Sequence, residues 1–422
     1  MAQLIQRIDQ ISLKPGGGDI KVNASGRNGE MKSTIEEIHP KIAISADWVL
    51  KRIQEGKAVR LRNAVITDNL DLNKLNLPIR RIKRTKLQNQ MGSTEYIKMV
   101  QSSIYIRDSI ILGQLDFSNS AFKKIASFSR VTISQDAMFI GATFCEGSMF
   151  NGTTFCKEAG FNGTTFCKTA VFEMTMFKGD ARFVGANFIQ LCQFGCATFC
   201  NSAWFVGATF DSYVGFAKAT FCGDAGFFEA KFNGDILTFR DANFTLANSQ
   251  EEACRRAKNV QAKTGNREEE EYHFYKEMVA KRKQKGIYET SNVMHEMHGT
   301  LRSENLFVIT RFLWYDLIEY IFLQKIFGYG IHPERVFKSW ILIIIIFGIG
   351  YWIEGGMNGG LFGAIDYLES SFATAIAPGY IAAIINNKEH SMLYHLAAIF
   401  ETIFGTFLWA GFIATFAKRY MK

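Results

Sequence analysis

Phenylalanine recurs every eleven residues without a miss at Phe139, Phe150, Phe161, Phe172, Phe183, Phe194, Phe205, Phe216 and Phe227. A second series with the same spacing, offset by five, runs from Phe144 through Phe155, Phe166, Phe177, Phe188, Phe199, Phe210 and Phe221 to Phe232. The steps therefore alternate between five and six, a period that neither an α-helix nor a β-strand possesses. Two positions before many of these rings stands a small residue, as at Ala142, Ala186, Ala197, Ala208, Ala219 and Ala230. Small residues in that register leave room for the ring of a neighbouring coil, so the pattern predicts a chain stacked on itself.

Segments such as FVGANF (183–188) and FVGATF (205–210) resemble the pentapeptide-repeat family. The resemblance implies a right-handed, quadrilateral β-helix with Phe and the small residue inside. The same phase runs backwards through Phe128, Phe122, Phe117, Ile111 and Ile106, and Leu70 and Leu72 belong to the first coils, giving an expected β-helix over 58–246. With roughly 22 residues per coil and ~4.8 Å between coils, some eight or nine coils would make a rod of about 40 Å. Residues 41–57 read as an N-terminal helix capping the rod's open edge. Residues 1–40 are polar, contain Pro15 followed by three glycines and show no apolar signal-peptide core, so a disordered tail is expected there.

Charge and cysteine usage exclude several functions. The net charge of +8 is spread over separate clusters, Arg80, Arg81, Lys83, Arg84 and Lys86 being one, with no nucleic-acid-binding module. Some pentapeptide-repeat proteins mimic DNA and inhibit topoisomerases, which needs a strongly acidic face. Residues 131–244 carry ten Asp and Glu against seven Lys and Arg, a net of only −3. Five of the eight cysteines (Cys145, Cys156, Cys167, Cys200 and Cys222) directly follow a repeat Phe, which places them in outward columns. The Cys192, Cys196, Cys200 run thus has a structural cause. No histidine between 137 and 272 completes a zinc set, and neither metal nor cofactor is expected. No nucleotide loop or catalytic triad order is present, so the chain is not expected to be an enzyme.

After Phe244 the pattern turns helical. Ser249 with Glu252 reads as a capping box, Gly265 as a helix end and Asn266 with Glu269 as a second helix start, predicting a helical hairpin linker over 247–300. The glutamates at 268–271 read as a solvated face. Residues 306–327 are very apolar but carry Arg311, Asp316, Glu319 and Lys325 on one half of the helix circumference, so an interfacial amphipathic helix is expected over 301–330. The region 331–422 contains two charge-poor spans, one around 336–353 and one from Met392 to Ala417. Arg335, Lys338, Lys418, Arg419 and Lys422 flank them, whereas acids dominate the connection, so both chain ends are expected to be cytoplasmic.

Between the spans, AIDYLESSFATA reads as a short helix and IAPGYIAAIINN as an apolar loop too short to cross, which fits a re-entrant pore helix and loop. Two spans around such a loop resemble the two-transmembrane, potassium-channel-type pore-loop family over roughly 306–422. Placed without gaps, Tyr367 matches the family's pore-helix Tyr, Thr374 its first filter Thr and Gly379 its second filter Gly. Ala375, Ala377, Pro378 and Tyr380 stand where the family has Thr, Gly, Tyr and Asp. Ala377 disfavours the positive φ that Gly adopts and Pro378 fixes φ near −65°, so a filter of Thr374, Ala375, Ile376, Ala377, Pro378, Gly379 and Tyr380 is not expected to select potassium. Glu369 and Glu401 are candidate pore-supporting carboxylates, Glu401 because a carboxylate inside an apolar helix needs a partner. Gly405, Gly411, Phe412 and Phe416 are candidate gate residues, although small residues also serve helix packing.

These readings predict an oligomeric, weakly selective or non-selective cation channel in the cell membrane of a prokaryote, carrying a cytoplasmic β-helix for gating, assembly or partner docking. The resemblance implies a homotetramer, since one chain with two spans encloses no pore. The expected partners are further copies, the lipid bilayer, inorganic ions and a cytoplasmic protein on the β-helix. The competing reading is a non-conducting, membrane-anchored pentapeptide-repeat scaffold.

Overall fold

The computed structural model describes residues 42–296, 317, 319–354, 360–376 and 392–420. The expected N-terminal tail and most of the expected interfacial helix lie outside them. From Val59 to Phe244 the chain winds into a β-solenoid of about nine turns. Its strands form four sheets of nine, eight, eight and seven members. Nearly every rung pairs in parallel with the residue 22 positions on, as Phe144 with Phe166 and Phe188 with Phe210. This register converts each sequence column into a spatial column.

The rings follow it inward. Phe172, Phe194 and Phe216 stack face to face at centroid spacings of 4.9 Å, while Phe183 and Phe205 meet Phe194 edge-on at 5.4 Å. Stacked and T-shaped pairs satisfy the ring quadrupole in both directions at once. Where the small position holds threonine, its hydroxyl is buried but paired: Thr164 Oγ1 donates to the Phe139 carbonyl at 2.6 Å and Thr175 Oγ1 to that of Phe150 at 2.7 Å. One residue is inserted before Leu237, so the last pairings, Val214 with Leu237 and Thr220 with Asn243, step by 23.

Both open edges are covered. Residues 42–56 are not one helix: Ile42–Ile44 adds a strand beside Ala64–Ile66, and helix α1 spans only Ala46–Gln54. Ser45 caps it by accepting from the Trp48 amide, and Ala46, Val49, Leu50 and Ile53 face the core. At the other edge, α3 (Ala247–Thr264) buries Ala253, Ala257 and Val260 against the last coil. Ser249 makes no capping box, because the helix begins before it and its Oγ accepts from the Ala225 amide at 3.0 Å. Gln261 Nε2 donates to the Leu237 carbonyl. Side chains of α3 thus take over hydrogen bonds that the solenoid edge would otherwise leave open.

The first coil carries an insertion that periodicity does not announce. Val59 pairs with Ile104, a step of 45 in place of 22. The extra residues form an antiparallel pairing of Ile79–Arg81 with the Tyr96–Val100 strand and a short helix α2, Lys86–Gln90. This strap lies along one corner of the solenoid, where Gly141, Gly163, Gly185 and Gly207 recur with positive φ. Arg84 donates to the Gly141 carbonyl, Gln88 to that of Gly163 at 3.1 Å, and Leu87 covers Gly185 and Gly207.

Helix α4 (Arg267–Glu296) returns antiparallel to α3. Gly265 ends α3 at φ 73°, and Asn266 accepts from the Glu269 amide at 3.3 Å. A π-helical stretch, Glu319–Ile326, leads to α5 (Pro333–Glu354), α6 (Gly360–Ile376) and α7 (Met392–Tyr420). Among the described residues two helices are long and apolar enough to cross a membrane, Pro333–Glu354 and Met392–Ala417.

Candidate functional site

Helices α5, α6 and α7 pack on one another around a single carboxylate. Glu401, on α7, is fully buried in a helix whose neighbours are almost all apolar. Burial of an unpaired carboxylate costs several kcal/mol, so partners must come from the other helices. They do. Tyr351 of α5 donates its hydroxyl to Glu401 Oε2 at 2.7 Å, and Ser371 of α6 bonds Oε1. The Ser371 hydroxyl also lies 2.9 Å from the Ile344 carbonyl, and Thr402 donates to the Thr374 and Ala398 carbonyls. One polar knot therefore joins three helices. Apolar contacts surround it: Trp340 lies 5.1 Å from Trp409 and 5.7 Å from Phe372, ring to ring.

Several expected site residues take different places. Thr374, Ala375 and Ile376 are not part of a loop but the last three residues of α6. Thr374 donates back to the Ser370 carbonyl at 2.8 Å, and Ala375 is fully buried. A Cβ on Gly405 would come within 2.8 Å of the Ala375 Cα, so α6 and α7 approach closely at Gly405. Ala375 thus packs against α7 of its own chain. Gly411 abuts the Phe327 ring, and Phe412 packs 5.5 Å from both Phe337 and Trp409, while Phe416 is exposed. Glu369 is exposed on α6 and takes no part in the Glu401 knot. Ala377, Pro378, Gly379 and Tyr380 lie outside the described residues. Among the described residues no cluster of three potential metal ligands exists.

A second feature joins the solenoid to these helices. The acidic start of α4 is not simply solvated: Glu269 accepts from Arg240 at 2.6 Å and from Thr238 at 3.3 Å, and Glu268 pairs with Arg240 at 2.9 Å. The Asp241 amide donates to the Tyr272 hydroxyl. His273 is buried beside them, and burial holds its imidazole down to about 4 despite the nearby Glu269 carboxylate. Farther along α4, Arg282 bonds Gln324 at 2.9 Å and lies over Tyr320, Lys285 pairs with Glu319, and Tyr275 sits beneath the Arg335 guanidinium at the start of α5. A single helix thus contacts both the last coil and the segment leading into the apolar helices. Sequence reading missed it because its partners, Arg240 and Gln324, fall in separate regions and follow no local pattern.

The family description for pentapeptide repeats (9 copies) matches residues 117–165, within the solenoid. Neither the curated proteins nor the solved structures gave a match.

Proposed function

We propose that this chain is a subunit of an oligomeric membrane ion channel, weakly selective or non-selective for cations, in which α5 and α7 cross the bilayer and α6 enters it without crossing. The observation that carries this reading is the buried Glu401, bound from both sides by Tyr351 and Ser371. At 17 residues α6 is about 25 Å long, short of the ~30 Å hydrocarbon core. Backbone that leaves a helix at that depth must be shielded from lipid by protein or must line a cavity. The knot holds α6 between two longer helices through Ser371, near its C-terminal end. The exposed flanks of α5, with Leu342, Ile346 and Ile353, suit lipid. Two spans do not enclose a pore, so the reading requires a ring, most simply a tetramer. The solenoid then serves gating, assembly or docking, with α4 as its link to the spans.

Purified full-length protein in a planar bilayer under a KCl gradient is expected to show discrete openings with a reversal potential on the cation side. Pro378→Trp should abolish them while leaving the oligomer intact by size-exclusion chromatography. Silence of the unmodified protein under voltage, tension and pH changes would sink the channel reading and leave the scaffold. Unaltered current in Pro378→Trp would remove that loop as the constriction.

A further inference from the structure

The outer face of the first two rungs of the solenoid gathers more guanidinium charge than its neighbours neutralise. Strand Val59–Arg62 pairs in parallel with Ile104–Arg107, which sets Arg60 beside Tyr105 and Arg62 beside Arg107. Val59, Ile104 and Ile106 are buried, so the alternation along each strand turns Arg60, Arg62, Tyr105 and Arg107 outward. Like charges directly across a strand pair are destabilising, and here two arginines meet at the strand spacing of ~4.8 Å. The repeat does not dictate this arrangement. Beyond Tyr105 its column continues through Ser127, Met149 and Val171, all uncharged.

One carboxylate serves the cluster, and it is already engaged. Asp108 accepts from Arg130 Nε and, at 3.0 Å, from Arg130 Nη2, while Arg62 Nε donates to it at 3.1 Å. That contact steadies Arg62 and leaves its two terminal nitrogens without a hydrogen bond among the described residues. Arg107 and Arg60 have no acidic partner among the described residues, and the Arg60 guanidinium lies over the Tyr105 ring at 6.0 Å from its centroid. Four arginines against one aspartate leave a net charge of +3. An open groove of about 430 Å³ runs between Arg60, Leu61, Arg62, Tyr105 and Arg107.

We propose that this groove binds a short phosphate chain, a di- or triphosphate group, through Arg60, Arg62 and Arg107. The inference does not rest on the channel reading. Guanidinium forks match phosphate oxygens two at a time. Arg62 and Arg107 converge on one phosphate, whose negative charge replaces their mutual repulsion with attraction to a shared anion. Arg60 stands two residues along the strand, about 7 Å away, a distance that a linked second or third phosphate covers and a lone one does not. Two sources carry this chemistry, an inorganic polyphosphate and a nucleoside di- or triphosphate. The half-buried Tyr105 ring offers a stacking surface to a base, which the second source alone possesses.

Isothermal titration calorimetry of the full-length protein in detergent, at fixed ionic strength and without divalent cations, tests this with tripolyphosphate and ATP as probes. Saturable binding of at least one probe is expected, and sulfate at equal concentration should compete poorly. Arg107→Ala and Arg60→Ala should each weaken binding about tenfold or more, whereas Arg80→Ala, at an exposed arginine of the strap, should leave it unchanged. Arg107→Lys keeps the charge and loses the fork, and should still weaken binding several-fold. Since Arg107→Ala relieves a like-charge pair, its unfolding midpoint without ligand should equal or exceed that of the unmodified chain, and tripolyphosphate should raise the midpoint of the unmodified chain alone. A Tyr105→Ala variant that loses ATP affinity and keeps that for tripolyphosphate identifies a nucleotide site, and equal affinity for both probes identifies a site for the phosphate chain itself. Absence of saturable binding with either probe, equal competition by sulfate, or an equal loss in Arg80→Ala would overturn the proposal.

Discussion

Gly163→Ala and Gly152→Ala make the same chemical change at the same backbone conformation, φ 63° and 67°, on two corners of the solenoid. Left-handed backbone alone costs a non-glycine residue about 1 kcal/mol. The corner of Gly152 shows that this cost is tolerable, since Arg130, Met174, Cys196 and Lys218 adopt positive φ in the same column. An alanine Cβ at 152 would come 3.1 Å from Arg130 Cγ, part of a flexible surface side chain that can move. At 163 the Cβ would instead overlap Ser93 Oγ and come 3.4 Å from Gln88 Cγ, both in the strap. Relief requires lifting the strap, which breaks the Gln88 bond to the Gly163 carbonyl and uncovers Leu87. One hydrogen bond and one apolar contact together are worth about 2 kcal/mol, so Gly163→Ala should destabilise by about 3 kcal/mol and Gly152→Ala by about 1 kcal/mol. Denaturant unfolding of the full chain reads the difference. Hydrogen exchange over residues 82–95 should lose protection only in Gly163→Ala. Equal destabilisation with unchanged exchange would refute the claim that the strap, and not the turn, demands this glycine.

Phe194→Ala removes a fully buried ring with two stacked and three edge-on partners, and should cost about 3–5 kcal/mol. Phe244→Ala, on the last rung and stacked only on Phe221, should cost roughly half as much, measured by the same unfolding transition. His273 gives a pH signature. Its folded value near 4 lies below the ordinary 6.5, so the unfolded chain binds more protons between them. Stability from this group is complete above about pH 6.5 and is lost as pH falls toward 4, by up to about 3 kcal/mol, and His273→Gln should flatten the profile in that window.

The parts of this structure that the sequence discloses are those whose cause repeats. A Phe every eleven residues has one geometric solution, and even the extension back to Leu70 follows, since Leu70 pairs with Leu115 and both are buried. The strap escapes the same reading because residues 78–95 obey no period. Its imprint is on its substrate: a glycine column that runs from Gly141 to Gly207 and gives way to Asn119 and Glu229 at either end, with Asn119 in the same positive-φ conformation as the glycines. In a solenoid such a column therefore points to something lying on that corner, because the turn itself accepts other residues, as Arg130 and Lys218 show.

The helical site divides along the same line. Glu401 is legible as a carboxylate without local company, but Tyr351 and Ser371 are ordinary residues on other helices and become partners only through packing. The matching that set Ala375 in the filter read residue types in order and not the hydrogen bonds they make. Thr374 closes on Ser370 and Ala375 seats on Gly405, so the helix continues to Ile376. Under the channel reading, Pro378→Trp is therefore a sharper probe of conduction than any change at Ala375. A bulky residue at Ala375 would force α6 from α7 and disturb the Glu401 knot, and its loss of current would report on folding alone.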